Sequence, residues 1–174
     1  MSALADTGTS LLAAIRESLA EKPDGVLEEV ARRHGAPLLT VVEALPEGER
    51  LVLSGERFGE VWASMTTWGE VLFLVHTSTI VLEVVGRLPP GTVGRGYFNI
   101  HGDSPIGGHI RADACRAIVL VDRAFHGRRS CSVQFFDETG ASMFKIFVRR
   151  GPDRELDPAQ LAAFEALRER LALP

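Results

Sequence analysis

LVDRAFHGRRSCSVQFFDETGASMFKIFVRR, from Leu120 to Arg150, is the stretch whose reading decides the fold. With the residues just before it, it contains three runs rich in Val, Ile and Phe: Ala117–Phe125, Ser130–Phe136 and Ser142–Arg149. Turn chemistry separates them, which is the signature of successive strands. AFHGRRS places His126 in the first turn, with its side chain in solvent. Asp137-Glu138-Thr139-Gly140 marks the second turn, with glycine where a left-handed residue is needed. Connections this short join antiparallel neighbours, because a parallel pair needs a long crossover.

Working upstream, the same texture continues through Val71–Val75, Thr79–Val85, Gly94–Ile100 and Gly108–Ala112. Before these, Glu56 to about Met65 reads as a helix, with Phe58, Val61, Trp62 and Met65 on one face. Residues 8–46 read as three helices. Leu12, Ile15 and Leu19 recur at helical spacing in the first, which Pro23 ends. Asp24 is the expected cap of the second, which carries Val26, Leu27 and Val30 and stops at His34-Gly35. Pro37 opens the third, through Leu38, Val41, Val42 and Leu45. Downstream, Asp157 caps a closing helix with Pro158 first and Leu161, Phe164, Leu167 and Leu171 on its apolar face. The expected class is α+β: N-terminal helices, large antiparallel β-sheets and a C-terminal helix. We expect one domain over 8–172, helical over 8–46 and β-rich with flanking helices over 56–172.

A chain of 174 residues with 45 % hydrophobic residues suits one sizeable core. The net charge of −4 leaves no basic footprint for nucleic acid. The helix trio could be read as a helix-turn-helix, but PLLTVVEAL offers no Lys, Arg, Asn or Gln to a duplex. The two cysteines, Cys115 and Cys131, make neither a disulfide framework nor a zinc pattern and fit a reducing cytosol. MSALADTGTS has no basic n-region and no apolar h-region, so a cytoplasmic location is expected. The run Val71–Val75 is far too short to span a bilayer. Nucleophile elbows, zinc-protease motifs and phosphate loops are missing, and Glu83 and Asp122 form no acid/base pair.

The chemistry gathers in RGYFNIHGDSPIGGHI, residues 95–110. It holds Tyr97, the only tyrosine, with His101 and His109, two of five histidines. A phenolate or a neutral imidazole can bind haem iron axially. The glycines around them, Gly107-Gly108 in particular, let a flat group approach. His76, at the end of an apolar run, is a third donor. On a strand, Arg95, Tyr97 and Asn99 share one face and Phe98 and Ile100 the other, with His101 alternating onto the former. A guanidinium beside the phenol would favour phenolate. Arg123, Arg128, Arg129, Lys145, Arg149 and Arg150 read as solvated strand edges, with pairing to an acidic ligand as the alternative. His34, at a helix end, needs no function.

The segments FGEVWASMTTWGEV, LVHTSTIVLEVVGRLPPG, GRGYFNIHGDSPIGGHI, the stretch quoted first and LDPAQLAAFEALR occur in an order that resembles the HutX/ChuX family of cytosolic haem-utilisation carriers. The resemblance covers nearly the whole chain and is densest from Phe58 to Arg150. It implies a fold similar to one half of larger haem-handling proteins of the HemS type. It also implies a homodimer imitating that two-repeat architecture, and haem (b-type, non-covalent) bound as cargo for a downstream haem-accepting or haem-degrading protein. The family's two haem-associated histidines fall on His76 and His109 and its tyrosine on Tyr97. His126 stands where an apolar residue is expected. Haem needs apolar walls, and Phe73, Phe98, Phe135, Phe136 and Phe144 are the expected suppliers. A carrier rather than an enzyme is implied; the alternatives are a haem-degrading enzyme and, remotely, a DNA-binding regulator.

Overall fold

The computed structural model describes residues 3–173, with side chains from residue 10 onward. In chain order the elements are α1 (Ala3–Glu21), α2 (Leu27–His34), α3 (Leu38–Glu43), β1 (Arg50–Ser54), α4 (Phe58–Met65), β2 (Glu70–His76), β3 (Val81–Arg87), β4 (Gly91–Gly94), β5 (Tyr97–Ile100), β6 (Gly108–Ile110), β7 (Cys115–Phe125), β8 (Arg128–Asp137), β9 (Ser142–Phe147) and α5 (Pro158–Ala172). Six strands form one sheet in the order β1-β7-β8-β9-β2-β3, and three form a second, β4-β5-β6. Every pairing is antiparallel. The α+β class read from the sequence is the observed one.

The two turns of the deciding stretch form as their residues dictate. Phe125 pairs with Arg128 across His126 and Gly127, whose φ values are 48° and 76°. Two positive φ values in a two-residue connection are the type I′ geometry that matches strand twist. At the second turn the Asp137 carboxylate accepts N–H bonds from Thr139 at 2.8 Å and Ala141 at 3.1 Å.

Side-chain alternation then divides β7 and β8 between two cores. Ile118, Leu120, Val133 and Phe135 face a core shared with α4, α5, and Phe98 and Ile100 of the small sheet. Ala117, Val119, Val121 and Phe136 face a second core built by α1, α2 and α3. A strand buried on both faces reads as an unbroken apolar run, as Ala117–Val121 does. The helix trio therefore spends its apolar faces on the sheet.

Several expectations are corrected. Arg50–Ser54 is an edge strand paired with β7, and its short RLVLS run carried too little pattern to be seen. Gly94–Ile100 is two strands, because Arg95 and Gly96, with φ 54° and 79°, turn the chain and pair Gly94 with Tyr97. Arg95 therefore leaves the face of Tyr97 and Asn99, and His101 lies beyond the end of β5. The second strand of the first hairpin starts at Val81, not Thr79, since Thr77 N–H bonds the Ile80 carbonyl at 2.8 Å to close the turn. Asp24 does not cap α2, whose preceding residue is Val26 without a side-chain cap. Its carboxylate instead accepts from Gly127 N–H at 2.9 Å, and its carbonyl from His126 N–H at 3.0 Å. Arg123 and Lys145 are not solvated edges but are buried. The Arg123 guanidinium donates to the carbonyls of Gly25 and Pro23. Phe98, Phe135, Phe136 and Phe144 are core rather than pocket wall, while Phe73 is partly buried. At the chain's end Asp157 does cap α5, accepting from Gln160 N–H at 2.9 Å.

Candidate ligand-binding face of the small sheet

Aromatic packing fixes the small sheet to the body. The Phe98 ring meets Phe58 and Trp62 edge-on at 5.2 and 5.4 Å. Trp62 Nε1–H donates to the Pro89 carbonyl at 2.9 Å, just before β4. Ser104 Oγ–H donates to the Arg87 carbonyl at 2.6 Å and anchors the loop between β5 and β6.

With Phe98 and Ile100 turned into the core, alternation sends Tyr97 and Asn99 outward. Asn99 pairs directly with His109 of β6, so the imidazole lies on the same outer face. Gly108, with φ 131°, occupies backbone space that a side chain would strain, and sets His109 in register. The Tyr97 and His109 rings meet at 5.9 Å between centroids, close to edge-on. The His109 Nδ1 to Asn99 Oδ1 distance is 2.7 Å. The guanidinium of Arg111 stands 6.0 Å from the Tyr97 ring centroid. That is a cation–π separation, and it makes Arg111, not Arg95, the cation at the phenol. Asp113 clamps Arg111 through two bonds of 2.9 and 3.0 Å. The hydrogen bond from Arg111 holds the Asp113 carboxyl below its usual range.

His76 is placed elsewhere. It ends β2 in the large sheet, and its Nδ1 lies 3.0 Å from Glu28 Oε1 on α2. The same Glu28 oxygen pairs with the buried Lys145 ammonium. Burial pushes the Glu28 carboxyl up, but Lys145 beside it, with a smaller part from His76, leaves it net below its usual value. Tyr97 and His109 are thus brought together, and His76 is held in a separate ion-pair cluster. Arg95 is exposed in its turn and makes no ion pair among the described residues. His126 is exposed and rests on Phe125 at 4.2 Å between centroids. His34 bonds Ser18 Oγ at 2.8 Å. Burial pushes the Cys115 thiol up to about 11 and the Cys131 thiol up to about 12, so neither is a nucleophile at neutral pH.

Arg111 escaped the sequence reading. Its signal was available, because His109 and Arg111 are two apart in a run read as strand, which puts both on the face of Tyr97. A separate cleft of about 560 Å³ is lined by Arg128, Arg129, Arg150, Glu155 and Leu156. Arg129 there is already bridged to Asp122 and Glu165.

The antiparallel α+β body thus holds a phenol and an imidazole out together on a small exposed sheet, as candidate donors to a ligand. Residues 51–167 match the family described as haem utilisation ChuX/HutX. The "Intracellular heme transport protein HutX" of Vibrio cholerae is 31 % identical over 168 residues, covering 96 % of this chain and 87 % of that one. A structure described as "the Heme Binding Protein ChuX" superimposes with a TM-score of 0.83 at 40 % identity, over 90 % of this chain and 98 % of that one. Apo-PhuS, a heme-binding protein from Pseudomonas aeruginosa, shares the fold alone: TM-score 0.69, 16 % identity, 89 % of this chain but 46 % of that one. The chain belongs to the ChuX/HutX haem-utilisation family. Its fold corresponds to about half of the larger PhuS chain, which is the likeness the sequence implied.

Proposed function

We propose that this protein is a cytoplasmic haem carrier, which accepts imported haem and hands it to a downstream haem-accepting or haem-degrading protein. Family membership gives the ligand class. The observation that carries the site is the Tyr97–His109 pair on the outer face of β5 and β6. These residues fit the cargo. The Tyr97 hydroxyl and the His109 Nε2 carry no hydrogen bond among the described residues, so each is free to meet iron. Haem supplies an iron with an open axial position and two propionates. Arg111 is the cation on this face for a propionate, and Arg95, exposed in the neighbouring β4–β5 turn, is a second candidate. The two buried, free thiols support b-type, non-covalent attachment. Tyr97 is 43 % exposed, so a cargo held there stays accessible to an acceptor. His76, on the large sheet, is the third candidate ligand, but its pairing to Glu28 of α2 favours the small-sheet pair.

The reading includes a homodimer. Ile80, Val81, Leu82 and Val85, on and just before edge strand β3, are 59, 56, 54 and 43 % exposed. An apolar edge of this kind calls for cover, and a two-fold contact with a second copy supplies it. Sedimentation as a stable monomer at micromolar concentration would remove this part of the proposal.

Haemin titration of wild type, Tyr97→Phe, His109→Ala and His76→Ala, followed by absorption, tests the whole. Saturable binding with a sharp Soret band is expected, with the spectrum altered by Tyr97→Phe or His109→Ala. A spectrum altered only by His76→Ala would move the iron to the α2 side. Bleaching to verdohaem or biliverdin on adding reductant, with catalase present, would replace the carrier by a haem-degrading enzyme.

A further inference from the structure

We infer that Asn99 is a positioning residue that locks the tautomer of His109, so that Nε2 carries the lone pair its imidazole offers to a metal. The identity of that metal as haem iron rests on the proposed function; the tautomer does not.

The argument starts from the amide. An asparagine side chain has two N–H donors on nitrogen and only acceptor sites on oxygen. Here Nδ2 lies within reach of three backbone carbonyls: Thr92 at 3.1 Å, Gly94 at 3.0 Å and Tyr97 at 3.2 Å. Turning the amide over would set Oδ1 against three other acceptors. The hairpin therefore decides which way Asn99 points. The left-handed pair Arg95 and Gly96 folds β4 back on β5 and brings the Gly94 and Tyr97 carbonyls to one spot.

With the amide so held, Oδ1 can only accept. Its partner is His109 Nδ1 at 2.7 Å, which must then be the donor. A neutral imidazole has one N–H, so placing it on Nδ1 leaves Nε2 unprotonated. Free neutral histidine favours the opposite tautomer, so Asn99 reverses the default. The pattern is that of an outer hydrogen-bond partner orienting a metal-binding histidine, where the second ring nitrogen is engaged and the first is free. Asn99 therefore does two jobs. Its nitrogen ties the hairpin, and its oxygen aims the ligand.

Proton–nitrogen NMR correlation on the isotope-labelled, haem-free chain, above the imidazole titration, reads the tautomer directly, with His109→Ala assigning the signals. The wild-type His109 ring is expected as the Nδ1–H form. A ring mainly in the Nε2–H form overturns the inference, whether or not any variant folds. Asn99→Ala is expected to return the ring to the Nε2–H form; an unchanged ring also overturns it. Asn99→Asp separates the two jobs. One carboxylate oxygen keeps the acceptor toward His109 Nδ1 and so the Nδ1–H form, while the other replaces the amide donors with an acceptor facing the Thr92, Gly94 and Tyr97 carbonyls, which lowers Tm. Haemin affinity is expected to fall about tenfold in Asn99→Ala, and less in Asn99→Asp. An Nδ1–H ring in a protein that binds no haemin would support the tautomer lock and defeat the haem reading.

Discussion

Gly91 shows how one missing side chain can hold a binding face in place. A Cβ there would stand 2.0 Å from the Phe98 ring, which Phe58 and Trp62 already grip. The ring has nowhere to go, so Gly91→Ala is expected to cost about 1–3 kcal/mol by overpacking. Thermal unfolding measures it, and an unchanged Tm would show that the small sheet floats on the body. The residues of this face were partly legible. Tyr97 and His109 stood out as a lone phenol and an imidazole in a glycine-rich stretch, while Asn99 was placed only on the face of Tyr97. The hydrogen bonds that organise them depend on a pairing register that a single strand does not encode, and so the role of Asn99 emerged only with β4 and β6 beside it.

Among the elements, the two type I′ hairpins explain why the sequence reading succeeded at one and failed at the other. In both, the second turn residue is glycine and the first carries a positive φ that L residues adopt at a cost, 48° at His126 and 54° at Arg95. HG sat between two long apolar runs and was read as a turn. RG sat inside a shorter run, with β-compatible residues on each side, and was read through. The strain gives a prediction. His126→Asn places a residue more tolerant of the left-handed region in an exposed turn. It is expected to add about 1 kcal/mol, or roughly 2–4 °C in Tm for a chain of this size. A lower Tm would mean that the contact of His126 with Phe125 outweighs the backbone strain. Strand β1 was missed for a different reason: it is short, it lies at an edge, and its pattern is set by β7 rather than by itself.

For the whole molecule, the cluster of Glu28, His76 and Lys145 joins the helical layer to the far strands of the sheet. The unfolded Glu28 carboxyl titrates near 4.5 and the folded one lower. Its contribution is therefore present above that pH and is lost as pH falls through the folded value. The stability difference between wild type and Glu28→Gln is expected to be largest near neutrality and to close as the pH drops below 4.5, as followed by urea unfolding. A gap that stays constant through that range would exclude Glu28 as a source of acid sensitivity. The layered α+β architecture was legible because helical and strand periodicities occupy separate parts of the chain. Which polar groups cross between the layers was not, since Glu28 and Lys145 are 117 residues apart in sequence.

The loop Pro23–Gly25 is held by groups from the β7–β8 hairpin: the Arg123 guanidinium on two carbonyls, and the His126 and Gly127 amides on Asp24. Such a rivet abolishes independence. The N-terminal helices cannot lift from the sheet without stripping a buried cation of its carbonyl partners, so helices and hairpin tip should breathe as one cooperative unit. In native-state deuterium exchange, the slow amides of α2 and of the β7–β8 hairpin are then expected to share one opening free energy, and Arg123→Ala to let α2 open first.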